Sequence, residues 1–211
     1  MKPPLIVPIV EGHGEVEALP LLIRRIYEEF RPGVFPVVNP PSRVKAGSFL
    51  HDKDYFHKYV ALAAAKAAQD DGMVLILLDC EDDCPAMLGP RLLADAQAVR
   101  IGIQCVVALA HREYETWFLA AAESLRGCAG LSDQLTAPTN PESIRGAKEW
   151  LGREMRVSYD PIIHQVRFTA RFDLHQARSV PSFDRLVKKL TASDGVLQPI
   201  EAGTQGSAGS A

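Results

Sequence analysis

The stretch LIVPIVEGHGEVEAL, residues Leu5–Leu19, sets the architecture. Its apolar run, Leu5 to Val10, stops at Glu11-Gly12-His13-Gly14, and a helical pattern follows. A short apolar run closed by a glycine-rich turn reads as a strand covered on both faces, the kind found in parallel sheets. The helix is expected from about Glu15 to Phe30, because Val16, Leu19, Leu22, Ile23, Ile26 and Phe30 recur at helical spacing. Pro20 is expected to kink its first turns.

The same alternation continues along the chain. Val34–Val38 reads as a second strand, and Asn39–Asp54 as a loop carrying Arg43 and Lys45. Tyr55–Gln69 is an alanine-rich helix halted by Asp70-Asp71-Gly72. Met73–Leu78, the clearest strand, runs into Asp79-Cys80-Glu81-Asp82-Asp83. A helix over about Pro85–Arg100 leads to a strand at Gln104–Ala110, after which His111-Arg112-Glu113-Tyr114-Glu115-Thr116-Trp117 opens another helix. This β-α alternation predicts an α/β protein: a parallel sheet of about four strands with helices on both faces. Beyond about Ser124 the chain reads as helices and loops broken at Pro161 and Pro181. The organisation expected is a core over 1–125, a helical C-terminal extension over 126–195 packed on it, and a disordered Gly/Ala/Ser-rich tail over 196–211. Trp117 and Phe118, at the start of an amphipathic helix, are expected in the core.

Composition narrows the function classes. With 211 residues, 47% hydrophobic and 23% charged, the chain has the make-up of a soluble globular protein, and its apolar runs are too short to span a membrane. The cytoplasm is the expected compartment, and the four cysteines, without a recurring spacing, read as reduced thiols. The net charge of −3 argues against strong nonspecific nucleic-acid binding by the chain as a whole. Its distribution is uneven: residues 1–141 carry 13 basic and 18 acidic side chains, whereas residues 142–191 carry 10 basic and 6 acidic. An acidic front beside a basic rear suits a metal site next to a phosphate-binding face, and equally a solvated helical surface.

Sites in open α/β sheets form at the carboxyl ends of the strands. Three of the four expected strands end in acids: Glu11, with Glu15 four residues on; the Asp79, Glu81, Asp82, Asp83 cluster; and Glu113 with Glu115. Asp79, Glu81 and Asp83 alternate and would share one side of an extended chain. Massed carboxylates resist ionising together, and a hard divalent cation, Mg²⁺ or Mn²⁺, relieves the repulsion. Acids after strands also cap helices or face water, a reading that weighs most for Asp82 and Glu15. His13 is a ligand, a general acid or simply a loop residue. Other motifs fail: Glu17 stands where the third glycine of a dinucleotide fingerprint belongs, no Gly-Lys-Ser/Thr is present, and a receiver-like phosphoacceptor lacks its acidic pair and a final strand ending in Lys.

A strand ending in Glu-Gly, followed by a strand ending in an Asp-x-acid cluster, resembles the Toprim metal-binding fold of topoisomerases, primases and related nucleases. The likeness sharpens in VEGHGEVEALP (10–20), LLDCEDDCP (77–85) and REYETWFL (112–119), and continues in AKEWL (147–151), Tyr159 and PSFDRL (181–186). Together these resemble the family called domain of unknown function 4276, a Toprim-like group, over roughly residues 5–190. The resemblance implies a Toprim-like, Rossmann-like core. In it Glu11, Asp79 and Glu81 would be catalytic, and Glu11, Glu15, Asp79, Glu81 and Asp83 would supply oxygens to Mg²⁺ or Mn²⁺. The usual motif has Asp where this chain has Glu81. Glu113 and Glu115 are possible additional acids, and Arg43, Lys45, Arg112 and Lys148 are candidate phosphate contacts. The function implied is a metal-dependent phosphodiester hydrolase acting on DNA or RNA, in a bacterial defence system with an ATPase partner. The alternatives are a noncatalytic subunit that binds an ATPase or nucleic acid, and a small-molecule phosphohydrolase. Homo-oligomerisation stays open.

Overall fold

The computed structural model describes residues 2–192, so the tail expected over 196–211 lies outside the described residues. The chain runs β1 (Leu5–Val10), α1 (His13–Phe30), β2 (Val37–Val38), β3 (Ser42–Arg43), α2 (Ala46–His51), α3 (Lys53–Ala67), β4 (Met73–Asp79), α4 (Pro85–Val99) and β5 (Gln104–Ala110). α5 (Thr116–Ala120) follows, and the C-terminal extension comprises α6 (Ala147–Glu154), α7 (Pro161–Thr169), α8 (Leu174–Ala177) and α9 (Pro181–Thr191). All strand pairings of the sheet are parallel, in the order β2-β1-β4-β5, with β3 also on β1.

The second strand departs from expectation. It begins at Val37 rather than Val34, and the segment read as loop contains both β3 and α2. β2 and β3 are two pieces of one interrupted edge. Leu5 pairs Val37 and Ile6 pairs Val38, but Ile9 pairs Ser42 and Val10 pairs Arg43, a register slipped by one residue. Pro40 and Pro41 occupy the gap, and a proline has no N–H to continue the ladder.

Alternation within the strands divides the core into two layers. Ile6, Val10, Leu75, Leu77, Val106 and Ala108 face α1 and the C-terminal helices, whereas Val7, Ile9, Val74, Ile76, Leu78 and Val107 face α2, α3 and α4. The first layer is the larger because it continues through Trp117, Phe118, Phe168, Phe172 and Phe183, all fully buried. Edge-to-face ring contacts at 5.2–5.6 Å link Trp117 to Phe183, Phe118 to Phe168 and Phe172, and Phe172 to Phe183. Trp117 and Phe118 are therefore core residues, as expected. α7 lies directly on α1, and α9 packs along β5, where Lys189 Nζ donates to the Val107 carbonyl at 2.7 Å. That ammonium caps an acceptor on the edge of β5 that no further strand pairs among the described residues. No described helix is long and apolar enough to cross a membrane.

Candidate functional site: an acidic cleft at the ends of β1 and β4

From β1 the chain moves to one edge of the sheet, then crosses back to β4 on the other side of β1. The carboxyl ends of β1 and β4 flank the point where the strand order reverses, which is where open α/β sheets leave a crevice. Glu11 and Asp79 stand there, on neighbouring strands paired up to Val10 and Leu77. They line a cleft of about 270 Å³ with His13, Glu15, Lys148, Asp160 and Gln165.

Three of the acids are held by the backbone they organise. Glu15, the third residue of α1, accepts from the N–H groups of Glu11 (3.2 Å) and Gly12 (3.1 Å), which fixes the turn that presents Glu11. Asp79 Oδ1 accepts from Tyr114 N at 2.8 Å, tying the end of β4 to the loop after β5. Glu113 Oε2 accepts from Ala147 N (2.6 Å) and Lys148 N (3.3 Å), holding the start of α6 over the cleft. Glu115 is fully buried, and its Oε1 accepts from the Tyr159 hydroxyl (2.7 Å) and Gln165 Nε2 (2.8 Å).

Lys148 is the cation at the centre. Its Nζ lies 3.1 Å from Glu113 Oε1 and 3.7 Å from both Asp79 Oδ2 and Glu115 Oε2. Burial alone disfavours the ammonium, but Glu115, Asp79 and Glu113 outweigh it and hold Lys148 above the usual lysine range. The carboxyls of Asp79, Glu11, Glu15 and Glu115 are shifted toward their neutral form. Burial, then repulsion from Glu15 and Glu115, raises Asp79 well above the ordinary carboxylate value, with Lys148 opposing. Burial and then Glu81 raise Glu11. Glu15 is pushed up to about 7, chiefly by burial, with Glu115 and Glu11 adding repulsion. One ammonium does not neutralise this many buried acids. Glu11 Oε2 is buried without a hydrogen-bond partner, an acceptor that a cation or a proton would satisfy.

The remaining expected site residues scatter. The chain does not stay extended after Asp79: Glu81 adopts φ 44°, a left-handed conformation, and Asp83 N turns back to the Cys80 carbonyl at 2.7 Å. Asp79, Glu81 and Asp83 consequently do not share one side. Glu81 is exposed at the rim, close enough to act on Glu11, whereas Asp83 is exposed and is not among the residues lining the cleft. The turn is stitched to the loop after β5 by Glu81 N to the Arg112 carbonyl at 3.1 Å. Arg112, itself at φ 65°, commits its guanidinium to Asp82 at 2.8 Å, and Arg145 grips the same carboxylate at 2.9 Å. Arg43 and Lys45 are exposed beside the cleft, on and just after β3, and His13 is exposed at its mouth. Lys148, expected as a phosphate contact, is instead embedded among carboxylates.

Gln165 and Asp160 are not legible in the sequence as cleft residues, and Tyr159 stands out there only as part of the resemblance. They come from α7 and the segment before it, more than 140 residues from Glu11 along the chain, and no local pattern announces such a contact. The nearest signal is Gly14. A Cβ there would run into Gln165 Oε1 and the Pro161 carbonyl, so the glycine permits the close approach of α7.

Among the described residues no group of three His, Cys, Asp or Glu side chains is arranged so that it could by itself hold a metal ion. Mg²⁺ seldom requires such a cage; it is typically bound by one or two carboxylates with waters and substrate phosphate oxygens completing the shell. Glu11, with its unpartnered oxygen, and Asp79, with Oδ2 facing Lys148, fit that smaller requirement in donor chemistry.

Fold and site together define a parallel, Rossmann-like α/β protein with an acidic cleft at its strand-order reversal. Residues 10–191 match the family described as domain of unknown function DUF4276, and the chain belongs to that family. No curated protein and no solved structure matches it.

Proposed function

We propose that the cleft is the site of a Mg²⁺- or Mn²⁺-dependent phosphodiester hydrolase acting on nucleic acid, of the Toprim-like kind. The observation that carries this reading is the pair Glu11 and Asp79. They are two carboxylates raised by burial, set side by side at the sheet's crevice, one with a buried oxygen lacking a partner. Glu11 and Asp79 would hold the cation, which when bound supplies charge stabilisation to a phosphate and orients an attacking water. Glu81 is a rim acid in this scheme. Glu15 acts through Glu11 as a positioning residue, because its carboxylate fixes the turn. With its carboxyl raised by burial, Glu11 can also take or return a proton at Oε2. Lys148 keeps Asp79 and Glu115 from repelling each other before substrate arrives, and its third of exposed surface lets it meet a phosphate oxygen. The ATPase partner and defence role implied by the resemblance belong to the same proposal.

The test is calorimetric titration of Mn²⁺ into the wild type, Asp79→Asn and Glu11→Gln, followed by nuclease assays on single- and double-stranded DNA and RNA. In Asp79→Asn the amide oxygen can still accept from Tyr114 N, so the fold should persist. Binding lost in Asp79→Asn, with cleavage lost in both variants, is expected. Equal affinity in wild type and Asp79→Asn would remove the assignment.

A further inference from the structure

Beside the acidic cleft runs a surface strip that the hydrolysis chemistry does not use. β3 lies along the end of β1 with Arg43 opposite Val10. This sets Arg43 about 5 Å, one strand spacing, from the residue preceding Glu11. Flanking it on α3 are Tyr55 and Tyr59, one helical turn apart, with ring centroids 4.7 Å apart and planes at 41°. The Tyr55 hydroxyl accepts from Lys45 N at 3.3 Å, which joins the tyrosine face of α3 to the segment after β3. Lys58 Nζ lies 5.9 Å from the Tyr59 ring centroid. Phe56, Val60 and Ala63 supply the buried face of α3, leaving both tyrosines half-buried on its flank. Each ring packs one edge against the core layer under α3 and leaves the remainder of its surface to solvent.

Charge follows the same line. Over residues 42–58, Arg43, Lys45, Lys53 and Lys58 outnumber Asp52 and Asp54, and Asp52 is occupied as the cap of α3, accepting from Asp54 N and Tyr55 N. A cleft dominated by carboxylates repels a polyanion, so a phosphate chain approaching it needs cations outside the cleft. This strip provides them, together with two aromatic faces. Cations that track a backbone beside aromatic rings that take bases are the general means of holding single strands without reading sequence. A duplex keeps its bases stacked inside and would leave the rings unused.

We propose that Tyr55, Tyr59, Arg43, Lys45 and Lys58 form a platform for single-stranded nucleic acid, bases on the rings and phosphates on the cations, leading the strand into the acidic cleft. The inference rests on the reading of that cleft as a phosphodiester site, and it names the substrate's form. Tyr59 is the diagnostic position, since the Tyr55 hydroxyl also holds backbone. The probe is a fluorescein-labelled oligothymidylate of about 15 nucleotides, long enough to cover a typical single-strand site. Its binding to the full chain is followed by anisotropy in chelator, where no hydrolysis occurs. Tyr59→Ala should weaken binding about tenfold, in the usual range for loss of one base–aromatic stack, while Tyr59→Phe retains it. Arg43→Ala and Lys58→Ala should each make the salt dependence shallower. A duplex of equal length should bind more weakly than the single strand. Unchanged affinity in Tyr59→Ala, or a duplex bound as tightly as the single strand, overturns the platform. Because binding is read without turnover, these outcomes are separate from the hydrolase test: a protein that binds as described but never cleaves with Mn²⁺ keeps the platform and loses the hydrolase.

Discussion

Replacing Glu15 with Gln should stabilise the metal-free protein at pH 8 and leave it nearly unchanged at acid pH. Glu15 is 3% exposed, and its carboxyl is pushed up from 4.5 to about 7, chiefly by burial, against hydrogen bonding to Gly12 N and with repulsion from Glu115 and Glu11. The folded state thus binds this proton more tightly than the unfolded chain. Its contribution to stability is fully present below the unfolded value and is lost as pH rises through the folded one. At about 1.4 kcal/mol per pH unit, the interval is worth on the order of 3 kcal/mol. Gln imitates the protonated acid: its amide oxygen can accept from the same two N–H groups and never ionises. The two proteins should therefore unfold alike near pH 4.5, diverge between there and pH 7, and stay separated above it. For a chain of this size about 3 kcal/mol corresponds to a Tm difference of roughly 6–12 °C. Urea and thermal unfolding in chelator across this pH range measure it directly. Parallel pH profiles, or a Gln variant less stable at pH 8, would refute the claim that folding disfavours the charge on Glu15. If the cleft binds Mn²⁺, adding the ion should narrow the gap from the wild-type side.

The other expectations concern the same neighbourhood. Lys148→Met leaves Asp79, Glu113 and Glu115 without their cation and should cost about 3–5 kcal/mol at neutral pH, the usual penalty for stripping one partner from buried charge. Since it raises Asp79 and Glu115 further, acidification should recover much of the loss, and a urea midpoint deficit that does not shrink on acidification would count against the assignment. Gly14→Ala should destabilise by about 1–3 kcal/mol through the clash with Gln165 and Pro161, seen as a lowered midpoint with an unchanged slope. Phe168→Ala should cost about 3–5 kcal/mol, because its ring is fully buried between α7 and Phe118. A change within about 0.5 kcal/mol, the usual result for a surface site, would mean that the C-terminal helices are not part of the core.

Local sequence is sufficient for the alternating fold and for the two strand ends that matter. Leu5–Val10 and Met73–Leu78 are continuous apolar runs of strand length, and a strand covered on both faces buries nearly every side chain of such a run. Because sites gather at the carboxyl ends of parallel strands, Glu11 and Asp79 can be picked out locally. The short edge differs from its reading for an equally local reason: Val34–Val38 has strand composition, but pairing with β1 selects Val37–Val38 and resumes only past Pro40-Pro41. What each acid does is a matter of long-range packing. Asp79, Glu81 and Asp83 alternate in sequence, yet a left-handed turn at Glu81 sends them apart, because the loop is stitched to Arg112 rather than left extended. Glu15 and Glu113 resemble Glu11 as sequence letters, yet each is occupied by backbone N–H groups. Lys148 and Gln165 reach the cleft, and Tyr159 the buried Glu115, from the far end of the chain, and their approach depends on helices packing over α1 and α5. Periodicity reports which face of an element is buried. Which charged groups meet across that buried face is set by tertiary contacts and by the free energy of desolvating them together, and neither is written in local spacing.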